Sequence, residues 1–267
     1  MIKTLYTHSR GRIKTLRQAL AAVLFLVVLP SLLAGCGAAS DSSSKASSSP
    51  VGRAGSQARF AIVGDYLYTV NRWDLQIFDI TTPATPSAWR RQSIGFDIET
   101  IFSYNNYLFI GSQEGVYIYD NSEPQFPRRV SSLVHARSCD PVVVEGNYAY
   151  VTLRSRNSRC SRGSNQLDVI DITDIYKPFV VRTFAMQQPA GLGVDSGKVF
   201  VCDGLAGLKV FDAADPVNLT LLDRVTSQDC YDLIPASGLL VVSGADGLYQ
   251  YDYSALPITE LSKMQNF

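Results

Sequence analysis

The feature that most constrains the fold of this chain is a phrase it repeats five times. Each copy has a turn, a strand, a second turn and a strand ending in Asp. The copies are GDYLYTVNRWDLQIFD (Gly64 to Asp79), NNYLFIGSQEGVYIYD (Asn105 to Asp120), GNYAYV with a later LDVID (Gly146 to Asp171), SGKVFVCDGLAGLKVFD (Ser196 to Asp212) and SGLLVVSGADGLYQYD (Ser237 to Asp252). The closing residues Asp79, Asp120, Asp171, Asp212 and Asp252 lie 41, 51, 41 and 40 residues apart. The long interval holds the insertion LRSRNSRCSRG, Leu153 to Gly163. Each copy is preceded by another strand-like run (FAIVGD, IETIFSY, DPVVVEG, LGVDS, DLIPAS) and followed by one more (SAWRRQSIG, RRVSSLV, FVVRTFAM, LTLLDRV, ITELSKM). Four short strands rich in Val, Ile, Tyr and Phe, with no helical periodicity, make one unit. A four-stranded sheet cannot bury both its faces alone, so the units must stack on one another. Radial stacking at this period predicts an all-β fold, a β-propeller of five four-stranded antiparallel blades spanning about 58–95, 96–136, 137–187, 188–228 and 229–267. Every blade supplies its own strands in order, so closure of the ring is expected to rest on apolar packing between the first and last blades, the alternative being a partial ring completed by a partner.

The strand and turn runs LQIFDITTPATP (Leu75 to Pro86), VYIYDNSEPQFP (Val116 to Pro127), LDVIDITDIYKP (Leu167 to Pro178) and LKVFDAADP (Leu208 to Pro216) resemble the LVIVD-repeat propellers of bacterial surface proteins. GLYQYDYSALP, Gly247 to Pro257, is a divergent last copy. The resemblance covers nearly all of 58–267 and implies the architecture rather than an activity.

The repeated Asp residues are the most conspicuous acidic set, yet they carry no convergent site. Each stands just after the third strand and before Thr, Ser, Ala or Asn, where a carboxylate accepts hydrogen bonds from turn amides. Trp73-Asp74 stands before the third strand, not at its end as in WD repeats. GLGVDSGKV, Gly191 to Val199, lacks the spacing and the Ser or Thr of a phosphate loop. His135 is the single histidine beyond the leader, and neither a GxSxG elbow, a zinc pattern nor a calcium loop occurs. No metal and no cofactor is expected.

Residues 1–35 read as a leader. Lys3, Arg10, Arg12, Lys14 and Arg17 form a basic start, Ala19 to Leu33 is almost wholly apolar, and LLAGC ends at Cys36. This ending resembles the bacterial lipobox, which implies a lipid on Cys36 and, with Gly37 next, the outer membrane in a Gram-negative cell. Residues 36–57 then form a Ser, Ala and Gly tether. Removing 1–35 leaves 24 minus 5, or 19, basic groups against 24 acidic ones, a balance that argues against nucleic acid as a partner.

In a propeller, the loops from blade to blade and those from second to third strand open on one face. Cys139, Cys160, Cys202 and Cys230 all fall there. An exported chain permits disulfides, and of three pairings Cys139 with Cys160 and Cys202 with Cys230 is preferred over free thiols. The same face holds Asp97, Glu99, Asp140, Asp229 and Asp232 before the innermost strands, and Arg154, Arg156, Arg159 and Arg162 in the insertion. The arginines suit an anionic glycan, peptide or headgroup. The expected function is a non-catalytic binding or scaffolding module at the cell envelope, with a protein or glycan partner. The alternative is a polysaccharide hydrolase or lyase using mouth carboxylates.

Overall fold

A computed structural model describes residues 55–134, 141–155, 164–227 and 229–265. Its twenty strands form five four-stranded antiparallel sheets arranged as a five-bladed propeller. Blade 1 comprises β1 (Phe60–Val63), β2 (Tyr66–Val70), β3 (Asp74–Asp79) and β4 (Ser87–Ser93). Blade 2 comprises β5 (Ile98–Tyr104), β6 (Tyr107–Ser112), β7 (Gly115–Asp120) and β8 (Arg128–Val134). Blade 3 has β9 (Val142–Glu145), β10 (Tyr148–Leu153), β11 (Gln166–Asp171) and β12 (Phe179–Ala185). Blade 4 has β13 (Leu192–Asp195), β14 (Lys198–Cys202), β15 (Leu208–Asp212) and β16 (Thr220–Val225), with a single 3₁₀ turn at Pro216–Asn218. Blade 5 has β17 (Cys230–Ala236), β18 (Leu239–Gly244), β19 (Gly247–Asp252) and β20 (Thr259–Gln265). Strands follow sequence order within every sheet, so no blade borrows a strand from the other end of the chain.

Local chemistry repeats with the blades. The first hairpin of each turns through two residues, the first with positive φ at Gly64, Asn105, Gly146, Ser196 and Ser237. The closing Asp side chain then accepts the amide two residues on: Thr81 N to Asp79 at 2.8 Å, Ser122 N to Asp120 at 2.8 Å, Thr173 N to Asp171 at 2.7 Å, Ala214 N to Asp212 at 2.9 Å and Ser254 N to Asp252 at 2.8 Å. The expected turn-forming role therefore holds in all five copies. A register shift recurs just before that Asp, at Ile77/Phe78, Ile118/Tyr119, Val169/Ile170, Val210/Phe211 and Gln250/Tyr251. Such a bulge adds twist, which swings each outermost strand away from a flat edge.

Alternation along the middle strands then makes the core. Tyr68, Val70, Leu75 and Ile77 of blade 1 pack on Ile98, Ile101, Leu108, Ile110 and Tyr119 of blade 2. At the same positions Phe109, Val116 and Ile118 meet blade 3, Tyr150, Leu167 and Val169 meet blade 4, and Phe200, Leu208 and Val210 meet blade 5. Burial of such side chains stabilises by about 1.5–3 kcal/mol each, which is what holds neighbouring sheets face to face.

The junction of blade 5 with blade 1 departs from this pattern and corrects the expectation of apolar closure. Where other blades present Ile77, Ile118, Val169 and Val210, blade 5 presents Gln250; where others present Ile110, Val151, Val201 and Val242, blade 1 presents Thr69. Phe60 is 49% exposed and Leu248 40%, and no buried apolar cluster among the described residues joins these two blades. Instead, residues 55–57 cross the junction. Ser56 donates its hydroxyl to Asp232 Oδ1 at 3.1 Å and accepts Leu192 N at 2.8 Å, while Gln57 Nε2 donates to Tyr231 O at 2.8 Å. One short segment thus ties β1 to both β13 and β17. A Cβ on Gly55 or Gly191 would collide with the Asp232 carboxylate, so both positions require glycine for this close approach.

Candidate functional site

The five innermost strands β1, β5, β9, β13 and β17 enclose a channel of about 250 Å³, walled mainly by apolar groups such as Phe102, Val143, Val194 and Ile234. Its lower end is polar, and each polar contact there links one blade to the next. Tyr104 Oη accepts Gly146 N at 2.8 Å, Glu145 Oε2 accepts Gly197 N at 3.0 Å, and Tyr253 donates to Asp195 Oδ2 at 2.6 Å.

The other end opens into a second cavity of about 250 Å³, lined by Gln57, Arg59, Glu99, Thr100, Pro141 and Arg154. These residues come from the starts of innermost strands and from the loop after β10. Of the anticipated residues, Glu99 and Arg154 line it directly.

Asp97, Glu99 and Asp232 are held by structural bonds. Asp97, in a left-handed conformation with φ of 49°, forms an ion pair with Arg72, whose Nε lies 2.9 Å away. Arg72 also rests over the Trp73 ring, which meets Phe96 edge-on at 4.7 Å. Glu99 Oε1 accepts Gln113 Nε2 at 3.0 Å. Asp232 belongs to the closure segment, and its burial pushes its carboxyl above the ordinary range, opposed by hydrogen bonds from Leu233 N, Ser56 and Gln57. Asp229 is half-buried and uses its backbone carbonyl to accept Ala245 N at 2.9 Å. Asp140, Arg156, Arg159, Arg162, Cys139, Cys160 and Cys36 lie outside the described residues.

Cys202 and Cys230 form a disulfide between blades 4 and 5, with Cα atoms 5.3 Å apart. Beside it lies an arrangement that the sequence did not reveal. Asp203, fully buried, accepts Gln187 N and Gln188 N at 2.8 Å each and pairs with Lys209 Nζ at 2.6 Å. It thereby fixes the loop leading into blade 4. The only available signal was a Lys in the apolar run LKVFD, where a neighbour of opposite charge is required if the strand is buried. Ser56, Gln57, Arg59 and Thr100 were likewise missed, because nothing local marks a residue whose partners lie in another blade.

A family model described as the LVIVD repeat matches residues 54–91 and 136–184. Together with the five blades, this is consistent with the LVIVD-repeat propeller family. No curated protein matches the chain. Among solved structures, a functionally unknown protein from Desulfotomaculum acetoxidans is similar with a TM-score of 0.64 at 12% identity, over 78% of this chain and 69% of that one. The computationally designed Ika8 protein gives a TM-score of 0.58 at 14% identity, over 78% and 61%. The periplasmic gluconolactonase PpgL of Pseudomonas aeruginosa gives 0.57 at 15%, over 76% and 67%. The match thus spans roughly two thirds of each relative's length, and at these identities the likeness is one of fold alone.

Proposed function

From a chain that carries LVIVD repeats on a five-bladed propeller, we propose a non-catalytic binding module, held at a bacterial envelope by a lipid on Cys36, with the channel mouth as its recognition surface. The observation that carries this reading is the engagement of three of the mouth's carboxylates, Asp97, Glu99 and Asp232. Asp97 is taken by Arg72, Glu99 by Gln113 and Asp232 by Ser56, so these side chains act as struts of the mouth. Glycoside hydrolysis needs two carboxyl groups converging on one bond, which side chains committed to structural bonds do not supply. What lines the cavity is a mixture of Arg59, Arg154, Gln57 and Thr100 around Glu99, suited to a ligand with anionic and hydroxyl or amide groups.

The lipobox at Cys36 supports the anchor, and Gly37 beside it supports the outer membrane as the destination in a Gram-negative cell. Fractionation of a Cys36→Ser variant tests the anchor. The protein leaves the membrane fraction if Cys36 carries the lipid, and continued retention refutes it. Deletion of Arg154 to Arg162 tests the face: loss of co-purified partner supports the reading, and an unchanged partner set removes it.

A further inference from the structure

A second, chemically distinct site lies on the outer wall, where Arg90 and Gln92 of β4 face Phe126, Pro127 and Arg128 of blade 2 across a shallow groove of about 260 Å³. The repeat itself marks this groove as an exception. The residues equivalent to Arg90 are Ser131, Arg182, Asp223 and Ser262, each opposite the same position of its third strand. Ser131 bridges to the next blade by donating to Ile175 O at 2.6 Å, and Asp223 by accepting Ile258 N at 2.7 Å. Arg182 lies over Phe184 of its own strand, and Ser262 bonds Gln250 of its own blade. Arg90 alone among them reaches the next blade through a ring, its guanidinium 5.2 Å from the centre of Phe126, and it has no carboxylate partner among the described residues.

Three further observations define what the groove takes. Arg128 makes a long ion pair with Glu123, at 3.5 Å between side chains that are 75% and 65% exposed, and lies opposite Asp120 on the neighbouring strand, both contacts that water and ligands screen or compete with easily. Gln92 lines the groove beside Arg90 and adds an uncharged polar wall to it. Beside them runs β4, the last strand of its sheet, seven residues long and mostly exposed, with an outer edge that no other strand among the described residues covers. Two guanidiniums recognise carboxylate, and an open edge recognises extended backbone.

We propose that this groove binds an acidic, extended peptide segment that lies along β4 and seats a carboxylate between Arg90 and Arg128, next to Gln92 on the same side of the strand. Arg91 points the other way and is committed to Asp74, at 2.9 Å from Nε. The site stands apart from the channel mouth, and neither depends on the other.

Fluorescence anisotropy on the full-length protein in detergent tests this with a fluorescein-labelled decapeptide of alternating Glu and Thr. The peptide binds, and its affinity falls with added salt. Arg90→Ala combined with Arg128→Ala weakens it by about tenfold or more, as loss of charge-assisted hydrogen bonds requires. Arg91→Ala leaves it unchanged, and a Lys and Thr peptide does not bind. Absence of binding, or binding indifferent to the double substitution, overturns the proposal. Tighter binding of oligogalacturonate through the same two arginines also overturns it, by assigning the groove to a glycan.

Discussion

Ser56 and Asp232, 176 residues apart in sequence, meet at 3.1 Å across the junction of the first and last blades. That contact replaces the apolar packing that joins every other pair of neighbours. It also places a carboxyl group, buried and pushed upward in pKa, at the point where the ring closes.

The closure is testable through the sign of that shift. A carboxyl whose folded pKa exceeds its unfolded value of about 3.9 binds more protons when folded, so its contribution to stability weakens as pH rises through the interval between the two values. Asp232→Asn keeps an acceptor for Ser56 without the buried charge. Its melting temperature equals or exceeds that of the wild type at pH 7, and the advantage disappears below pH 4. Asp232→Ala removes the acceptor and costs about 1–3 kcal/mol in urea unfolding.

The turn carboxylates have the opposite sign. Hydrogen bonds from the Thr81, Ser122 and Ser254 side chains, and then from their amides, hold Asp79, Asp120 and Asp252 below the ordinary carboxylate range. Their contribution is complete above the unfolded pKa and is lost as pH falls through the folded values. Carboxyl NMR titration of the protein shows these three titrating below a free Asp. Asp120→Ala flattens the fall of stability on the acid side.

For the disulfide, the 28-residue separation of Cys202 and Cys230 gives a loop-closure contribution of about 3–4 kcal/mol. Replacing both residues with Ser lowers the unfolding free energy by that order. Intact-mass measurement with and without reductant detects the bridge directly.

The Asp203 and Lys209 pair makes a sharper demand. Asp203→Ala leaves a largely buried ammonium and two loop amides without their acceptor, a change that costs about 3–5 kcal/mol. Adding Lys209→Met to Asp203→Ala recovers part of the loss, because the stranded charge is removed. Denaturant unfolding of the two variants measures the difference.

How legible this was from sequence depended on whether the information was local. Hairpin turns, alternating strands and the Asp79-type turns are written within a few residues and repeated five times, so the blade architecture could be read. Placing all four cysteines on one face left three pairings open, and Cys202 with Cys230, part of the preferred one, is the bridge that forms. The junction could not be read, since Thr69 and Gln250 look like ordinary strand residues until they are seen to face each other's blades. Asp97 was expected at the mouth, but its ion pair with Arg72, 25 positions earlier, turns it into a support. Asp203 stayed hidden for the same reason, its partners being chosen by tertiary packing.

That the channel mouth is the recognition surface is tested most directly by placing a photo-crosslinking amino acid at Gln57, an exposed residue of the mouth, and irradiating intact cells. A discrete adduct forms from Gln57, is lost on combining Arg59→Ala with Arg154→Ala, and does not form from Thr259 on the exposed outer strand β20. The same adducts from Gln57 and Thr259, or an adduct from Gln57 indifferent to both arginines, would overturn it.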